Sequence, residues 1–91
     1  MVEKISKVRW FRGITYQIGK AYPVWYVFSD PDFINHYPIR IVKYEEGYFI
    51  EEFGYSPVDQ ICIWSVVMRG MSFKTVGAAK EALLETYKEY L

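Results

Sequence analysis

The groups that could do covalent chemistry are few and poorly spaced for it. His36 is the only histidine and Cys62 the only cysteine among 91 residues. One imidazole excludes a two-histidine metal site or an HExxH helix, and no serine–histidine–acid pattern surrounds it. A Cys62–His36 thiol–imidazole pair would need an accessible, electropositive setting. Cys62 instead lies in the apolar run Ile61-Cys62-Ile63-Trp64, where it is expected as a small buried hydrophobe. Adjacent carboxylates occur at Glu45-Glu46 and Glu51-Glu52, but neighbours in a strand point to opposite faces, so neither pair converges on a substrate. The glycines are scattered and form neither GxGxxG nor a P-loop. The expectation is a protein that is not an enzyme and that uses no metal ion and no cofactor.

Two groupings suit binding. In Lys7-Val8-Arg9-Trp10-Phe11-Arg12, the alternation places Lys7, Arg9 and Phe11 on one face of a strand, with Arg12 following. Basic groups beside an exposed ring can hold phosphates while the ring stacks a base. The second grouping is aromatic. Trp25, Tyr26, Tyr44 and Tyr48, with Tyr37 and Tyr55, crowd the first two-thirds of the chain, and such residues anchor protein interfaces. They are the expected partner-binding residues, whereas Lys7, Arg9, Phe11 and Arg12 are the nucleic-acid-binding alternative.

These residues need a scaffold, and hydrophobic periodicity supplies one. Lys7–Ile18 alternates with period two, which predicts either one strand with a bulge at Gly13, the favoured reading, or two strands with a tight turn there. Gly19–Pro23 reads as a connection, and Val24–Phe28 as a central strand. Ser29-Asp30-Pro31-Asp32 is a turn signal, followed by an irregular stretch to Pro38. Ile39–Tyr44 and Tyr48–Phe53 flank Glu45-Glu46-Gly47 as a hairpin, and Ile61–Met68 reads as another central strand. From Val76 the period lengthens to that of a helix, with Val76, Ala79, Leu83, Tyr87 and Tyr90 on one stripe and Ser72 or Thr75 as N-cap. The fold expected is α+β: a four- to five-stranded antiparallel sheet in one domain, 1–91, with the C-terminal helix across one face. Its core should hold Val8, Trp10, Val27, Ile41, Ile50, Ile63, Val66, Phe73, Val76, Ala79 and Leu83.

Composition agrees with a real core, since 52% of the residues are hydrophobic and 20% aromatic. Net charge is zero, but residues 1–43 carry seven basic and three acidic side chains, and residues 44–91 four basic and eight acidic. Such asymmetry can mark a basic face. The single cysteine, the absence of an apolar leader in MVEKISKVRW and the short apolar runs predict a cytoplasmic protein with no membrane partner.

Phe11-Arg12-Gly13-Ile14 and Phe73-Lys74-Thr75, followed by Ala79, resemble the two ends of AP2-type and integrase-arm DNA-binding domains. The resemblance implies a sheet backed by one helix. It covers short stretches only: the gap between the two ends is far longer than in that family, and the family's basic sheet residues have no clear counterparts. Small aromatic-rich domains without chemistry are also common among phage and mobile-element proteins that bind and inhibit host proteins. The favoured expectation is therefore a non-catalytic module acting by protein–protein interaction, homodimerisation included, with nucleic-acid binding as the alternative.

Overall fold

The computed structural model describes residues 8–29, 38–67 and 71–88. Five strands, β1 (Val8–Gln17), β2 (Lys20–Ser29), β3 (Ile39–Tyr44), β4 (Gly47–Ser56) and β5 (Ile61–Val66), precede one helix, α1 (Val76–Thr86). Each strand pairs antiparallel with the next, so the sheet order is the chain order and the architecture is α+β. Consecutive antiparallel strands that pair in chain order, without a crossover, form a meander.

The register assigns each side chain to a face. Trp10, Trp25, Val27, Ile39, Ile41, Tyr48, Ile50 and Val67 share the face on which α1 lies, and Ala79 and Leu83 of α1 complete the core with them. Val27, Ile41, Ile50, Ala79 and Leu83 are buried as expected, and burying a valine, isoleucine or leucine side chain contributes about 1.5–3 kcal/mol. Trp10 and Phe73 pack half-buried against them. Val66 departs from the expectation. It stands opposite Glu51 on the other face and is exposed, because β5 is an edge strand rather than a central one. For the same reason Cys62 is exposed, not a buried hydrophobe.

α1 begins at Thr75, whose Oγ1 accepts a hydrogen bond from the Ala78 amide at 3.1 Å. The helix is aimed by a bridge just before it: the Tyr48 and Phe73 amides each donate to the other's carbonyl at 2.9 Å. Gly47 makes this approach feasible. Its φ is +140°, and a Cβ there would lie 3.0 Å from the Phe73 carbonyl oxygen.

Two expectations about the first hairpin need correction. β1 has no bulge: pairing runs unbroken through Gly13↔Val24. The Tyr26 ring lies over Gly13, 3.3 Å from where a Cβ would sit, so the glycine makes room for an aromatic neighbour. Nor is 19–23 a connection. β2 starts at Lys20, and Pro23 pairs with Ile14 inside the ladder. A proline is tolerated there because the β2–β3 pairing extends only over Val24–Tyr26, so no β3 residue pairs with Pro23. The turn is just Ile18-Gly19, with φ of +53° and +78°, the pattern of a type I′ hairpin.

Candidate functional site

Strand lengths set the site geometry. β1 and β2 have ten residues each, but β3 has six and pairs with β2 over three. The distal half of the first hairpin, Ile14–Pro23, therefore runs past the body of the sheet as a two-stranded arm. One side of the arm is tied down. Gln17 Nε2 donates to the Tyr44 hydroxyl at 2.8 Å, and Lys20 Nζ to Glu45 Oε2 at 2.8 Å. The Tyr22 and Tyr44 rings meet edge-on, 4.9 Å between centroids. The Lys20–Glu45 hydrogen bond raises the lysine pKa and lowers that of the carboxylate, although both groups are on the surface.

The other side of the arm continues the helix face but extends beyond the helix. Ile14 is 59% exposed, Tyr16 73%, and Ile18 at the tip fully. Ala21 and Pro23, paired with Tyr16 and Ile14, share that face. Arg12, Gly13, Ile14, Ala21, Tyr22 and Pro23 line a shallow hollow there. Trp25 borders it, with the Arg12 guanidinium 5.5 Å from its ring centroid. Ile18 is conformationally costly as well as exposed: a β-branched residue at positive φ costs about 1–2 kcal/mol.

The far face carries a different cluster. Arg40 and Glu51, each 4% exposed, stand opposite one another on β3 and β4. The Arg40 guanidinium lies 4.1 Å from the Trp64 ring centroid and donates a longer bond, 3.4 Å, to the Tyr26 hydroxyl. The Tyr44 hydroxyl donates to Glu51 Oε2 at 2.5 Å. Burial, aided by this bond, pushes the Tyr44 phenol up to about 12, against the opposing effect of Gln17. Tyr26 and Trp64 belong to strands about 14 Å apart in a flat sheet. Their rings nevertheless lie 6.3 Å apart, leaning together over the ion pair. Among the described residues no buried side-chain polar atom lacks a hydrogen-bond partner, so this network is satisfied and reads as structural.

The four expected partner-binding residues are thus divided. Trp25 and Tyr48 lie on the helix face, ring centroids 5.6 Å apart, both packed against the core. Tyr26 and Tyr44 lie on the far face in the polar network. Only Trp25 adjoins the arm surface. The basic strand is divided too: Arg9 and Phe11 are exposed on the far face, with Phe11 opposite Tyr26, whereas Arg12 is on the helix face. Lys7, His36 and Tyr37 lie outside the described residues. Among the described residues no three His, Cys, Asp or Glu side chains are placed to hold a metal ion, and no helix is long and apolar enough to cross a membrane.

Alternation puts Ile14, Tyr16 and Ile18 on the same face as the expected core residue Trp10, so sequence reasoning gave them no binding role. The available signal was Pro23, a residue that marks where a strand runs without a neighbour. Comparison with known proteins found no matching family model, no matching curated protein and no matching solved structure.

Proposed function

We propose that this chain is a non-catalytic protein-binding module whose contact surface is the helix-side face of the β1–β2 arm. The observation that supports this reading is the row Ile14, Tyr16 and Ile18, continuous with Pro23 and Trp25: apolar groups held on a paired scaffold and, among the described residues, with no element packed over Ile14, Tyr16 or Ile18. Ordered apolar side chains left in water contribute little to folding, and contiguous ones mark interaction surfaces. Tyr and Trp supply large contact area at low entropic cost. A domain of this kind acts by occupying its partner's surface, the mode by which mobile-element proteins inhibit host proteins.

The test is an arm variant, Ile14→Ser with Tyr16→Ser and Ile18→Asn, compared with wild type as bait in quantitative pull-downs. All three positions are exposed, so the variant should unfold at a denaturant concentration close to that of wild type. Proteins held by wild type and lost by the folded variant support the reading. Proteins held equally by both remove the arm from the interface.

A second reading rests on charge. Residues 8–27 contain Arg9, Arg12 and Lys20 and no acidic residue, and Arg9 and Phe11 share the far face. Nucleic-acid binding through these groups would weaken steeply with salt. Oligonucleotide titrations at two salt concentrations test it, with Arg9→Ala and Arg12→Ala expected to flatten the slope.

A further inference from the structure

Building on the protein-binding reading of the arm, we propose that its occupant is a second copy of this chain, the arm of each copy packing on the outer side of the other copy's α1. The shape argument is a step. α1 covers the β3–β4 part of the helix face and leaves the arm of the same face bare beside it. The height of that step is one helix diameter, about 10 Å. When two copies face each other across a two-fold axis, the helix of each fills the step of the other, and the contact closes on itself as a dimer.

The chemistry of the two surfaces matches. On its outer side α1 presents a shallow hollow lined by Ala78, Glu81, Ala82, Leu84 and Glu85, of which Ala82 and Leu84 at its margins also pack partly against the core. Its small residues let a strand approach closely, and two carboxylates rim it. The arm offers Ile14, Tyr16 and Pro23 for the apolar floor and Arg12 for the rim. Glu81 makes no ion pair among the described residues, whereas Glu85 shares Lys88 at 3.2 Å. Arg12 on the arm and Glu81 and Glu85 on α1 give the two surfaces opposite charge, and a two-fold contact uses that complementarity twice.

Sedimentation velocity over a wide concentration range tests the proposal. Wild type should show a monomer–dimer equilibrium that weakens with salt. Arg12→Glu should weaken it at least about tenfold, because a reversal acts twice in a symmetric dimer, and Glu81→Lys with Glu85→Lys should do the same. Mixing the two variants should restore dimers, since each arm then meets a helix of opposite charge. That recovery also shows that both variants are folded. Wild type that stays monomeric at every concentration, a dimer indifferent to both reversals, or no recovery on mixing would each overturn self-association. None of these results removes the arm as a surface for a different protein, which the pull-down with the arm variant reports separately.

Discussion

Arg40 and Glu51 face each other in register across β3 and β4, and both Nε and Nη2 of the arginine bond the same carboxylate oxygen at 2.8 Å. A pair this deeply buried is costly to break, because removing one member strands the other charge in the protein. Glu51→Ala is expected to destabilise the domain by about 3–5 kcal/mol in urea unfolding. Replacing both residues with apolar ones, Arg40→Met with Glu51→Leu, should cost far less. A double variant as unstable as the single one would show that the pair does more than satisfy itself.

Tyr44 gives the same network a pH dependence. Its folded pKa, about 12, lies above the ordinary tyrosine value of 10.0. The resulting stabilisation is therefore complete below pH 10 and is lost as pH rises from there through the folded value. Ultraviolet tyrosinate titration should show a late-ionising tyrosine that disappears in Tyr44→Phe, with stability falling over the same range. Titration of Tyr44 at its ordinary value would contradict the hydrogen bond to Glu51.

The arm and the core should respond oppositely to truncation. Leu83→Ala empties a fully buried site and should cost about 2–5 kcal/mol. Tyr16→Ala should change stability by no more than about 0.5 kcal/mol, as for an ordinary surface position. A large loss at Tyr16 would mean that the arm face is covered by the chain itself.

Ile18 offers a sharper separation of folding from binding. Asparagine tolerates positive φ at a type I′ position far better than a β-branched residue does. Ile18→Asn should therefore raise the unfolding free energy by about 1 kcal/mol while weakening arm-mediated association. A stabilised variant that associates as well as wild type would take Ile18 out of the contact surface.

Much of the scaffold was legible in the sequence because it follows from periodicity. The hairpin around Glu45-Glu46, the period change at Val76 and the buried positions Val27, Ile41, Ile50, Ala79 and Leu83 all express one-sided burial. Alternation alone does not report how far each strand extends beyond its neighbours. It therefore does not show that the covered face ends before Ile14 and Tyr16, and it placed Val66 and Cys62 in a central strand when β5 is an edge. Alternation separates Trp25 from Tyr26, but that Tyr48 joins the first and Tyr44 the second depends on register between strands, which pairing fixes and composition does not. The Arg40–Glu51 pair was hidden by one residue of register: a loop of Glu45-Glu46-Gly47 would set Arg40 opposite Glu52, whereas the observed pairing of Tyr44 with Gly47 sets it opposite Glu51.

The most direct test of the arm as contact surface is photo-crosslinking in cells from benzoylphenylalanine placed at Tyr16, with Tyr55 as control. Both side chains are exposed, but Tyr55 lies at the opposite end of the sheet, on the β4–β5 hairpin. Crosslinks to a protein from position 16, whether to a second copy or to another chain, with none from position 55, are the predicted result. Equal crosslinking from the two positions, or none from position 16, would contradict the account.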